Sequence, residues 1–289
     1  MSHNTLGEKQ PMGKVIITAG NYSKTPYVLK NSKLRIHSIE ELAFCILKNP
    51  ELCEDFLYDR DLPVYIENEL GLRERASRLA ILIERGAPVR DLMTVVFCSS
   101  DYMVKDEIEE FINEFSRVEN SEEWVRVKNK ADSYLQIENY KNALINYRNL
   151  IKDANTYRIT NETLGDIYHN MGVATLHTAG FTEAADCFRE AYERNNRNES
   201  LKSYLLALKF GENDEEYRTA LDIYKISDET AEWMNSALFH TELEAEGMPE
   251  LVELSQAVEN MKAGKVKDFS ETVDRLTEEM KEQYRRNNE

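Results

Sequence analysis

The chain has 289 residues, 42% of them hydrophobic and 31% charged, with six prolines and eleven glycines. That length allows about two domains of ordinary size, and the scarcity of helix breakers favours long helices over many-stranded sheets. A formal net charge of −17 repels phosphate backbones and anionic headgroups, which argues against general nucleic-acid binding and against acidic membrane surfaces.

Residues 1–12 read as a disordered tail with no apolar run, so no signal peptide is expected. Lys14–Ala19, Pro26–Leu29 and Leu34–His37 are short extended candidates that suggest a small antiparallel sheet, and a sheet of that size needs a helical cover. The cover follows directly. Ser38 stands three residues before Glu41 in a capping-box pattern, and Ile39, Leu42, Ala43, Ile46 and Leu47 form an apolar stripe that ends at Asn49-Pro50. Further helices are expected at about 51–57, 61–70, 72–85, 89–98 and 104–116. The run 92–97 fits a buried helix or, through the β-branched Thr94, Val95 and Val96, a strand. Residues 13–118 therefore form a small α+β or helical domain of unrecognised type, closed by the polar stretch Val118–Glu123.

From Trp124 onward the chain reads as helix pairs. Val125–Ile137 with Tyr140–Lys152 is the first, Leu164–Ala179 with Thr182–Arg194 the second, and Glu199–Phe210 with Glu215–Lys225 a looser third. Longer helices are expected over Asp228–Glu246, Pro249–Ala263 and Val266–Arg286, with Gly180, Gly211 and Gly264 at turns. This half holds most of the charge: residues 121–289 carry 21 Lys/Arg against 33 Asp/Glu.

Two of the pairs share one pattern. Ala131, Ala143, Tyr147 and Leu150 recur 41 residues later as Gly172, Ala184, Phe188 and Ala191. A small residue lets two helices approach, and an aromatic four residues past the second small one fills the gap between them. With Tyr134 and Tyr140 in the first unit and Tyr168, Met171 and Phe181 in the second, residues 124–157 and 165–198 resemble tetratricopeptide repeats. Leu150 and Thr175 depart from that family's pattern, and the closing proline is missing from both units. The 41-residue period exceeds the family's repeat of about 34 residues by roughly two helical turns, so the helices or the loop around Lys152–Thr163 must be longer. Residues 119–289 are thus expected to form a tetratricopeptide-like α-solenoid, a mostly α architecture.

The resemblance implies a concave groove lined by the first helix of each pair, with Lys128, Asp132, Gln136, His169, Asn170, Val173, Leu176 and His177 facing a bound protein or peptide. Lys128 and Asn170 match members that clamp a terminal carboxylate, but Asp132 would repel such a ligand. An extended peptide or a partner helix suits the mixture better.

Other constellations are weaker. His169 and His177 lie about 12 Å apart along one helix, too far for a shared metal. Ser99, Ser100 and Asp101 fit a helix end, and no strand–turn–helix elbow surrounds them. Cys45, Cys53, Cys98 and Cys187 lack metal-ligand spacing and read as free thiols packed as small hydrophobes in a reducing, cytoplasmic setting. The arginines at 73, 75, 78, 85 and 90 make the one basic cluster of the N-terminal half and read as a solvated helix face. The stripe Phe269, Val273, Leu276, Met280 and Tyr284 would cap the solenoid or pair with a second copy in a homodimer. The function expected is a non-enzymatic adaptor or scaffold, with no cofactor, no metal, no nucleic acid and no membrane. The alternatives are a peptide-sensing transcription regulator that uses Arg75 and Arg78, and an enzyme with its catalytic part in the N-terminal domain.

Overall fold

The structure is a computed structural model that describes residues 19–32, 34–226, 229, 236 and 247–288. The chain divides between Glu122 and Glu123 into two compact units. Both are mostly helical, and among the described residues no helix is long and apolar enough to cross a membrane. All of the strand expected over Lys14–Ala19 except Ala19, and all of the helix expected over Asp228–Glu246 except Glu229 and Ser236, lie outside the described residues.

The first unit opens with a minimal hairpin. β1 (Tyr27–Val28) pairs antiparallel with β2 (Arg35–Ile36), Tyr27 opposite Ile36. Helices follow in the order α1 (Ile39–Lys48), a 3-10 turn (Pro50–Leu52), α2 (Cys53–Leu57), α3 (Asp61–Asn68), α4 (Arg73–Glu84), α5 (Val89–Phe97) and α6 (Lys105–Glu119). Only half of the expected capping box forms at α1. The Ser38 hydroxyl accepts from the Glu41 amide at 3.2 Å, but the Glu41 carboxylate reaches past Ser38 to the His37 amide at 2.6 Å. The run 92–97 is helical because α5 is surrounded: it packs on α1, α2, α4 and α6, which buries Leu92, Met93, Val96 and Phe97. Tertiary burial outweighs the weak strand preference of three β-branched residues.

Asp59 ties the hairpin to α3. Its carboxylate accepts from the Tyr27 hydroxyl at 2.6 Å, the Lys30 ammonium at 2.6 Å and the Asp61 amide at 3.1 Å. Burial alone would push the carboxyl up, but these three donors together outweigh it and hold its pKa below the usual carboxylate range. The cluster therefore stabilises the fold above about pH 4, where an unfolded aspartate ionises, and this contribution is lost as pH falls through the lower folded value. Thermal melts of the intact chain between neutral and strongly acid pH should show a steeper acid loss than melts of an Asp59→Asn variant. Identical slopes would remove Asp59 from that role.

The four cysteines divide by burial. Cys45 and Cys53 are buried; burial raises the Cys45 thiol to about 11 and the Cys53 thiol well above its ordinary value. Cys187 is half-buried, whereas Cys98 is exposed at the end of α5, which corrects the expectation that all four pack as small hydrophobes.

The second unit contains α7 (Glu123–Gln136), α8 (Tyr140–Tyr157), α9 (Asn161–Thr178), α10 (Phe181–Asn195), α11 (Asn198–Phe210), α12 (Asp214–Tyr224), α13 (Pro249–Lys262) and α14 (Val266–Asn288). The pairs α7·α8, α9·α10 and α11·α12 pack internally, and α8 on α9 and α10 on α11 join them in series. The extra two turns of the 41-residue period lengthen the helices rather than the loop. α8 and α9 have 18 residues each, and only residues 158–160 connect them, with Arg158 in the left-handed conformation and the Thr160 hydroxyl capping α9. All eight repeated positions are buried. Gly172 lies so close to the Phe188 ring that a Cβ there would stand 2.7 Å from it. The third pair keeps the motif on a shorter period: Ala220 and Tyr224 follow Ala184 and Phe188 by 36 residues, and Tyr224 meets Tyr192 and Tyr204 edge-on. α14 packs on α13 and touches α8 and α9.

Candidate functional site

Side chains from α7, α9 and α11, with the end of α10, converge on a solvent-open cleft of about 350 Å³. One wall is built around Asp132. Lys128, one helical turn before it on α7, donates to Oδ2 at 2.7 Å. The Tyr147 hydroxyl of α8 and the Asn170 amide of α9 both donate to Oδ1, at 2.6 and 2.9 Å. Three helices therefore meet on one carboxylate. Burial, reinforced by the Asp132 charge, pushes the Tyr147 hydroxyl far above its ordinary value, so it is a permanent donor.

The other wall joins α9 to α11. Asn195 donates to Asp166 and to the Ser200 hydroxyl, each at 3.1 Å, and Arg197 pairs with Asp166 and Glu162, each at 3.0 Å. His169 Nδ1 lies 3.2 Å from the Ser200 hydroxyl, and its ring leans on Phe188. Burial lowers the His169 pKa, so the ring is neutral at physiological pH.

Of the expected groove residues, Lys128, His169 and Asn170 line this cleft and Asp132 holds two of its members in place. The others lie elsewhere. Val173 and Leu176 are half-buried and pack against the apolar cluster of α10, α11 and α12. His177 is exposed and stacks flat on Tyr140, with ring centroids 4.2 Å apart. Gln136 is exposed at the end of α7. The cleft residues Asn195, Arg197, Glu199 and Ser200 were not among the expected ones. Glu199 and Ser200 belong to the third helix pair, whose shorter period hid its register, whereas Asn195 and Arg197 close the second.

This surface offers recognition chemistry. Amide, hydroxyl and guanidinium donors alternate with the carboxylates of Asp166 and Glu199, an arrangement that can meet both the N–H and C=O groups of a polypeptide. Among the described residues no group of three or more His, Cys, Asp or Glu side chains could hold a metal ion. The Ser99 hydroxyl is turned back onto the Val95 carbonyl of its own helix and Ser100 onto Phe97, as fits a helix end. On α4 a shallow depression of about 620 Å³ borders Arg73, Arg78, Ile81 and Arg85, with Arg73 paired to Glu67 at 3.3 Å. Comparisons with protein-family models, curated proteins and solved structures find no match to this chain.

Proposed function

We propose that the second unit is a tetratricopeptide-like α-solenoid that acts, without chemistry of its own, as an adaptor or scaffold in the cytoplasm. On this reading it holds an extended segment of a protein partner in the cleft where α7, α9 and α11 converge. The observation that carries the reading is that cleft: three successive helix pairs each contribute polar side chains to one open surface. The close approach at Gly172 and the burial of all eight repeated positions support a stacked-pair architecture. A terminal carboxylate is a poor ligand here, because Lys128 and Asn170 already bond to Asp132.

The test uses residues at the rim, where charge reversal leaves the core intact. Arg197 and Glu199 are both exposed. An Arg197→Glu/Glu199→Lys variant gives up the exposed pairs with Asp166 and Glu162, so it should stay folded with a slightly lower melting temperature, but it should capture its partner from host lysate roughly tenfold less well, the loss expected for about 1.4 kcal/mol at an interface. Partners retained equally by both proteins would place binding outside the cleft.

A further inference from the structure

His169 lines the cleft with one ring nitrogen occupied and the other open, and the residues behind it decide which of the two carries the proton. The decision begins at Asn195. Its amide nitrogen lies 3.1 Å from Oδ1 of Asp166, a carboxylate that also pairs with Arg197, and its amide oxygen accepts from the Arg197 backbone N–H at 3.0 Å. Both neighbours demand the same orientation of the amide, so its nitrogen is the group that meets Ser200. The Ser200 hydroxyl therefore accepts from Asn195, at 3.1 Å.

Ser200 is only 1% exposed, and the acceptor within reach of its own proton is His169 Nδ1, at 3.2 Å. A hydroxyl buried this deeply does not leave its proton unpaired when an acceptor is at hand. Nδ1 is then the bare nitrogen of a neutral imidazole, and the ring proton sits on Nε2. Nε2 bonds to nothing within the chain among the described residues, yet it is not sealed in. The one buried side-chain polar atom without a partner among those residues is Glu40 Oε2, in the first unit. The His169 ring leans on Phe188, and its free N–H opens to the cleft.

The charges around the ring select what that N–H can meet. Lys128 is bonded to Asp132, and Arg197 to Asp166 and Glu162. Glu199 is exposed and has no ion-pair partner among the described residues, and its charge acts on the ring together with that of Asp166. An anionic acceptor approaching Nε2 meets the uncancelled Glu199 charge. A neutral carbonyl does not.

We propose that His169 is a specificity-determining residue of the cleft, a donor locked by Asn195 and Ser200 that takes a neutral carbonyl oxygen of the bound segment at Nε2. This rests on the reading of the cleft as a polypeptide site and narrows it. A helix uses its interior carbonyls on its own amides, whereas an extended segment keeps them free. An extended segment therefore satisfies this donor and a partner helix does not. The lock also fixes the sign of the contact, because the other tautomer would present a lone pair at the same place.

Nuclear magnetic resonance on the full nitrogen-15-labelled chain tests this. Five histidines must be resolved, and His169 is assigned by the loss of its signals in His169→Gln or by its contact with Phe188. At neutral pH its ring should show the Nε2–H tautomer. N-methylacetamide, a neutral carbonyl probe, should shift the His169 ring signals several-fold more than those of the exposed His177. Acetate, its anionic counterpart, should not do so at matched concentration and ionic strength. An Nδ1–H ring overturns the proposal. So does acetate that shifts His169 as strongly as the amide, or an amide that moves His169 no more than His177. These readouts need no partner. The cleft reading itself falls instead if Arg197→Glu/Glu199→Lys captures partners as the wild type does, whatever the ring shows.

Discussion

Gly165→Val is expected to cost the second unit about 3 kcal/mol, at the upper end of what overpacking a helix interface usually costs. A Cβ at this position would stand 2.8 Å from the Ala191 carbonyl oxygen and 2.8 Å from the Asn195 nitrogen. Those are backbone atoms of α10, and they cannot swing aside as a side chain does. Valine gains a few tenths of a kcal/mol in helix propensity over glycine, which does not offset the clash. The same change at Gly172 meets the Phe188 ring instead, which can tilt, so its cost should be smaller. Relief at Gly165 requires α10 to move away from α9, and Asn195 moves with it. The cleft then loses the bonds from Asn195 to Asp166 and Ser200, so stability and partner binding should fall together. Neither of the two tryptophans, Trp124 and Trp233, falls within residues 1–122, so urea titration followed by tryptophan fluorescence does not read the first unit and follows the effect through Trp124 on α7. An unchanged midpoint would mean that the two helices are not packed as closely as the backbone distances require.

What could be read from the sequence divides along the range of the forces involved. The helix pairs and their buried positions follow from local periodicity, which is why Ala131, Tyr147, Gly172, Ala184 and Phe188 could be named before their neighbours were known. Lys128 and Asp132 stand one turn apart on the same helix, so their pair is a local one, but in the sequence Lys128 reads as a ligand contact and Asp132 as repulsive to the ligand. The rest of the Asp132 cluster is not local. Tyr147 and Asn170 reach it from α8 and α9, and a carboxylate that looks repulsive in a linear pattern becomes an organising acceptor once three donors surround it. The α11 side of the cleft was hidden by the change of period from 41 to 36 residues, which moves groove positions off register with the first two units. Val173 and Leu176 were assigned by register alone, and packing on α10, α11 and α12 draws them toward the core. The choice between helix and strand for residues 92–97 likewise depended on what surrounds α5, which no window of sequence contains.

Asp132→Ala is expected to cost about 2–3 kcal/mol, and the partition of that loss is the informative part. Tyr147 is wholly buried, so alanine at 132 leaves its hydroxyl without its acceptor, at a cost of about 1–3 kcal/mol. The bond from Asn170 adds to this. The pair with Lys128 adds less, because both side chains keep a quarter of their surface in water and such pairs contribute at most about 1 kcal/mol. Lys128→Ala alone should therefore be mild. Tyr147→Phe removes the donor and its demand together, and in that background Asp132→Ala should cost at least about 1 kcal/mol less than it does in the wild type. Denaturant midpoints of the two single variants and the double variant complete the cycle. If the costs simply add, the Tyr147 hydroxyl is not bound to Asp132 in solution, and the cleft wall is held by packing instead. If they couple, Asp132 is the post that fixes Lys128 and Asn170 at the mouth of the cleft. Partner binding by the Asp132→Ala protein should then weaken even under conditions where it remains fully folded.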